Sequence, residues 1–85
     1  MNGPELLEHA AGLVTRRRRE YGEPVDVSEA IAKRWSSIFR TEVSAAQVVL
    51  ALIDVKLARL SANPKHLDSQ VDVAGYAACL REVTR

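Results

Sequence analysis

An all-α four-helix bundle is what this 85-residue sequence predicts, on three observations. Alternation of apolar and polar residues never persists, so nothing reads as a strand. Apolar residues instead recur at helical spacing in four segments, separated by short breaks, two of which carry Gly or Pro. The third observation is the stretch from Val48 to Tyr76, around which the rest is organised. It holds a long apolar helix, a turn broken at Asn63-Pro64, and a further helix opening with Asp68 and Asp72. Short connections favour antiparallel neighbours.

The first helix begins at Pro4 and Glu5, with proline in a first-turn position that tolerates its missing N–H. Leu6, Leu7, Ala10, Leu13 and Val14 give it an apolar face, and it runs through Arg16 to Arg19 before ending at Tyr21-Gly22. Cations in a last turn suit the helix dipole, and glycine suits the cap. Glu23-Pro24 connects to a second helix, where Asp26 and Glu29 read as a capping box. Val27, Ile31, Trp35 and Ile38 form its face, with Phe39 beside them. Thr41 to Val43 turns the chain into the third helix.

Ser44 and Gln47 have capping-box spacing at the start of that third helix. At about 100° per residue it carries two apolar stripes. Val49, Ile53, Leu57 and Leu60 make one, and Val48, Ala51, Val55 and Ala58 the other. Asp54 lies in one thin polar seam; Lys56 and Arg59 lie in the opposite one. A helix apolar on two sides is expected to be covered on two sides, as the centre of a bundle or the core of a homodimer or higher homo-oligomer. The fourth helix follows Pro64 to Leu67. Asp68 is its expected N-cap, with Asp72 one turn on, above Tyr76, Cys79 and Val83.

The whole chain, residues 1–85, is expected to be a single helical domain. Charged residues are 27% and apolar ones 47%, ordinary for a soluble globular protein. The net charge of +1 argues for neither nucleic acid nor membrane as partner. The four consecutive arginines point all round a helix, and no aromatic residues interleave with them, so nucleic acid is not the expected partner. One or two of them reaching a phosphate of a small ligand is the alternative to a solvated helix end. A lone cysteine, Cys79, allows no internal disulfide and fits a reducing cytoplasm. No apolar run reaches the roughly 18 residues of a membrane span, and no signal pattern opens the chain.

Asp54, Asp68 and Asp72 are the candidate metal set, since Mg²⁺ takes carboxylate oxygens and keeps several waters. The structural alternative is that Asp68 only caps and Asp72 only pairs with Lys56 or Arg59. Lys56 and Arg59 are in turn candidates for phosphate binding. His66 is a loop histidine beside the acidic pair, and His9 a surface one. Tyr76 and Trp35 are core aromatics unless one stacks on a base. Cys79 reads as a small core residue.

Tyr21-Gly22-Glu23-Pro24, Trp35, Lys56-Leu57-Ala58-Arg59 and the run from His66 to Tyr76 resemble a family of short phage and bacterial proteins described as a domain of unknown function. That family is similar in turn to the MazG-like all-α nucleoside triphosphate pyrophosphohydrolases. The resemblance covers roughly Arg16 to Arg81. It implies a dimerising helical bundle that binds a nucleotide or nucleotide-derived molecule, with Mg²⁺ held by helix carboxylates. Asp54 and Asp72 would then be catalytic, Asp54, Asp68 and Asp72 the metal ligands, and Lys56, Arg59, Tyr76 and Tyr21 the substrate-binding set. The sequence departs from the MazG-like pattern in two places. Ser69 replaces the glutamate three residues before Asp72, and the central helix carries only Asp54 where several glutamates belong. The alternative is a non-catalytic nucleotide-binding or oligomerisation module.

Overall fold

Helix ends in this chain are set by short polar signals, and most fall where those signals stand. The computed structural model describes all 85 residues and contains four α-helices and no strand. Helix α1 spans Gly3–Tyr21, α2 Pro24–Phe39, α3 Ala45–Ala62 and α4 Leu67–Thr84. Asn2 caps α1: its side chain accepts the Glu5 N–H at 2.9 Å, and Glu5 accepts the Asn2 N–H at 3.1 Å. Gly22 closes the helix with φ +95° and donates its N–H to the Arg18 carbonyl. Residues with a Cβ seldom adopt that φ.

Helix α2 starts at Pro24, which corrects the expected capping box. Asp26 lies in the first turn and Glu23 is the N-cap, without a side-chain bond. Proline's fixed φ places it in the first turn, so the helix begins before Asp26 can cap it. The face that packs is also rotated from the expected one. Ser28 and Ala32 are buried, whereas Ile38 and Phe39 are exposed. Small residues one turn apart let the α2 backbone approach α3 and α4 closely, and the larger side chains flank that contact. Trp35 and Phe39 meet edge to face, 6.4 Å between ring centroids. Ser36 ties the α2–α3 turn together: its hydroxyl oxygen accepts the Val43 N–H at 2.9 Å.

Helix α3 has the expected capping box, with Gln47 N–H donating to Ser44 Oγ at 3.1 Å and Ser44 N–H donating to Gln47 Oε1 at 2.9 Å. Its most extensive partner is α4, and α4 touches all three other helices. Val48 and Val49 are buried where α2 and α4 flank α3. The two expected stripes fare differently within one chain. Val49, Ile53 and Leu60 are covered to differing degrees, but Ala51, Val55 and Ala58 are exposed, and so is Leu57. Only seven residues are buried, none larger than valine, so the covered core is small.

The α3–α4 turn holds a second correction. Asp68 is not the N-cap of α4; His66 is. His66 Nδ1 accepts the Ser69 N–H at 3.3 Å and lies 2.7 Å from Ser69 Oγ. Gln70 then donates to the Pro64 carbonyl. These bonds start the helix at Leu67 and leave Asp68 exposed in its first turn. No helix is long and apolar enough to cross a membrane.

Candidate functional site

The small core leaves a cleft of about 440 Å³ to which all four helices contribute. Its walls are chiefly apolar, including Leu13 and Val14 from α1, Ile31 from α2, Leu52 from α3 and Val71 from α4. The charged groups come from three helices: Arg17 and Arg18 from α1, Lys56 from α3, and Asp72 from α4, where Tyr76 also lines the cleft. Each position follows from helical spacing. Arg17 lies seven residues after buried Ala10, so it returns to the same face. Lys56 lies seven after buried Val49, and Asp72 follows buried Val71.

At the polar end, Lys56 Nζ is 3.1 Å from Asp72 Oδ2, and Arg17 Nη1 is 3.7 Å from Asp72 Oδ1. The Lys56 and Asp72 side chains are 16% and 18% exposed, so this pair is mostly out of water. Lys56–Asp72 was one of the structural alternatives open in the sequence, and it is formed. Arg59 and Asp68 make no ion pair, and both are exposed.

Arg18 lines the same cleft in a different arrangement. Its Nη2 donates to Glu82 Oε1 at 3.4 Å, and its Nε stands 3.2 Å from Glu23 Oε2. Nε is shielded from solvent, yet no acceptor lies on its N–H axis. The Glu23 contact is therefore electrostatic and leaves a directional donor unmet, which is uncommon for a shielded N–H. Cys79 lines the same cleft. Burial pushes its thiol pKa up, Arg17 and Arg18 pull against that shift, and Glu82 adds to it. It remains a neutral thiol at neutral pH, a soft wall group rather than a nucleophile.

The residues proposed from sequence divide clearly. Lys56, Asp72, Tyr76 and Tyr21 meet in the cleft, with Tyr21 at its exposed rim. Asp54, Asp68 and Arg59 do not line it. Asp54 is two residues from Lys56, about 200° around the helix, so it faces away from the site that Lys56 enters. The three aspartates expected to share Mg²⁺ therefore do not converge within one chain, and no three His, Cys, Asp or Glu side chains are grouped to hold an ion. Asp72 itself faces two cations, so a divalent ion placed there meets positive charge on both oxygens. The cleft of a single chain does not fit Mg²⁺. Arg17 and Arg18 are the site residues that the sequence reading left unresolved among four arginines. Their register relative to Ala10 and Val14 carried the signal.

Residues 5–84 match the family described as Domain of unknown function (DUF6378), and the chain belongs to that family. It is 34% identical over 79 residues to the Gene 55 protein of Mycobacterium phage D29, covering 92% of this chain and 52% of that protein. It is 35% identical over 69 residues to the Gene 55 protein of Mycobacterium phage L5, covering 80% of this chain and 44% of that one. The chain thus spans about half the length of these phage relatives. They bear out the expected kinship with phage proteins of unknown function. No solved structure matches significantly.

Proposed function

We propose that this member of the DUF6378 family is a small-ligand module whose cleft binds a nucleotide or nucleotide-derived phosphate ester. The observation that carries this reading is an apolar cleft whose wall holds Arg17, Arg18 and Lys56, with Arg17 and Lys56 brought together on Asp72. Ligand sites are commonly cavities of about 300–1,000 Å³, mostly apolar, with a few convergent polar groups. Guanidinium and ammonium groups suit a phosphate, and the apolar wall with Tyr76 suits a base or sugar face. The resemblance to MazG-like pyrophosphohydrolases around Asp72 supports a nucleotide in particular. The same resemblance brings Mg²⁺-dependent hydrolysis, but the dispersed aspartates favour binding without turnover.

The test is a thermal-shift panel of nucleoside mono-, di- and triphosphates, each with and without Mg²⁺, with products followed by chromatography. Stabilisation without Mg²⁺ and without product is the expected outcome. Release of pyrophosphate that requires Mg²⁺ would reinstate the hydrolase reading and call for carboxylates from elsewhere. No shift with any nucleotide would overturn ligand binding.

A second reading concerns assembly, and the exposed side of α3 favours it. Leu50 and Leu57, seven residues apart and so on one side of the helix, are each about half exposed there. The radius of gyration is 13.6 Å, against about 12 Å for a compact chain of this length. We propose that two copies pair through this side of α3, since the twofold dimer is the commonest closed assembly. Sedimentation equilibrium should give a dimer that Leu57→Glu converts to monomer. A monomeric wild type at the highest concentration measured would refute it. In a cytoplasmic setting, the free Cys79 would stay reduced.

A further inference from the structure

The seat that would take a ligand phosphate is already filled by a carboxylate from the chain itself. Asp72 lies with one oxygen 3.1 Å from Lys56 Nζ and the other 3.7 Å from Arg17 Nη1. A phosphate entering the cleft to reach these two cations arrives at a site held by a negative charge. We infer that Asp72 is an internal counter-ion that a polyanionic phosphate must displace, and not a residue that helps to hold the ligand. This inference rests on the phosphate-binding reading above and assigns Asp72 the opposite role from a metal-ligating aspartate.

Three features of the site support it. First, each Asp72 oxygen lies against a cation, so the carboxylate already neutralises the charge that a ligand phosphate would seek. Second, the two bonds are unequal. The longer one goes to Arg17, whose side chain is 48% exposed and free to swing toward a ligand. Third, Arg18 in the same cleft also carries carboxylates of the chain, Glu23 at 3.2 Å and Glu82 at 3.4 Å, and its shielded Nε–H has no aligned acceptor. A second phosphate group reaching Arg18 would compete with Glu23 and Glu82 as the first competes with Asp72. Replacing a carboxylate on two cations takes more than one negative charge, so the fitting class is a di- or triphosphate. Monoanions such as carboxylates or phosphodiesters should bind poorly. Asp72 thereby acts as a selectivity filter: it holds Lys56 in the empty site and sets a charge threshold for entry.

The experiment measures binding of inorganic pyrophosphate and of a nucleoside triphosphate by isothermal titration without divalent ions. It compares wild type with Asp72→Asn. Removing a like charge about 4 Å from the phosphate should tighten binding by roughly ten- to a hundredfold. Should Asp72→Asn fail to fold, the pair Lys56→Met and Lys56→Met/Asp72→Asn decides instead, because the doubled variant buries no stranded charge. There too, the Asn-bearing protein should bind more tightly than its Asp72 counterpart. Tighter binding by Asp72→Asn supports the inference, including the case where wild type binds too weakly to measure. Equal or weaker binding by Asp72→Asn, with clear binding by wild type, overturns the counter-ion role but leaves phosphate binding standing. No binding by any of these proteins overturns both.

Discussion

Breaking the Lys56–Asp72 pair gives the most informative stability measurement, because geometry fixes both its size and its asymmetry. At 3.1 Å and an effective dielectric constant near 20, the direct attraction is about 5 kcal/mol. Most of that is offset by the cost of taking both charges out of water. Exposed pairs contribute roughly 0.2–1 kcal/mol, and stranding one partner of a fully buried pair costs about 3–5 kcal/mol. With side chains 16% and 18% exposed, this pair lies between those limits. Lys56→Met leaves Asp72 with Arg17 at 3.7 Å, so the loss should be about 1.5 kcal/mol. Asp72→Asn leaves two cations facing each other without a counter-charge, so the loss should be about 2–3 kcal/mol. The double variant should cost less than the sum, with a coupling of about 1–2 kcal/mol. Urea titration followed by far-UV circular dichroism reads all four corners of the cycle. For a chain of this size, a loss of 2 kcal/mol corresponds to a fall of roughly 8–16 °C in Tm. A coupling below about 0.5 kcal/mol would show that the pair behaves as a surface contact, and the reasoning from burial would be wrong.

Other consequences can be checked on single variants. Gly22→Ala should cost about 1–3 kcal/mol in urea titrations, because φ +95° is strained for any residue with a Cβ. Gly75→Ala should do the reverse and stabilise by about 0.5–1 kcal/mol, since alanine is the better helix former. A Cβ at Gly75 meets only Val14 Cγ2, at an ordinary 3.7 Å. A destabilised Gly75→Ala protein would mean that α1 and α4 pack more tightly than this geometry allows. Cys79 predicts a pH dependence. Its folded pKa is raised above the ordinary 9.0, so the folded state holds the proton longer than the unfolded one. That contribution is complete below about pH 9 and is lost as pH rises through the folded value. Wild type should therefore lose stability in that alkaline window more steeply than Cys79→Ala, and equal slopes would contradict it.

The capping signals made the helices readable. Ser44 with Gln47 and the Asn63-Pro64 stop placed α3 correctly, because each is a local bond between residues close in sequence. Where reading failed, a competing local group intervened. Pro24 started α2 before Asp26 could act, and His66 capped α4 before Asp68 could. In both places a residue ahead of the stronger cap former sets the helix start. The packing face of α2 was hidden for another reason: Ser28 and Ala32 pack through smallness, which an apolar pattern ignores. In the site, Asp72 was legible because it heads the stripe of Tyr76, Cys79 and Val83, and Lys56 because it is a cation on a mostly apolar helix. Which helix supplied the second cation was not, since Arg17 meets Asp72 across 55 positions of sequence. Asp54 shows the limit in the other direction. It was attractive as a carboxylate on the central helix, yet its angle relative to Lys56 already placed it on the other side.

A phosphate bound in the cleft would lie against Arg17, Arg18 and Lys56. An NMR titration with a nucleoside triphosphate in the absence of Mg²⁺ tests this placement most directly, through the arginine Nε–H signals and the backbone amides. The account predicts that the Arg17 and Arg18 Nε–H signals move together with the amides of Asp72, Gly75 and Tyr76, while Arg34 and Arg59 stay still. Saturable shifts confined to Arg34 or Arg59, or no shifts at all, would contradict it.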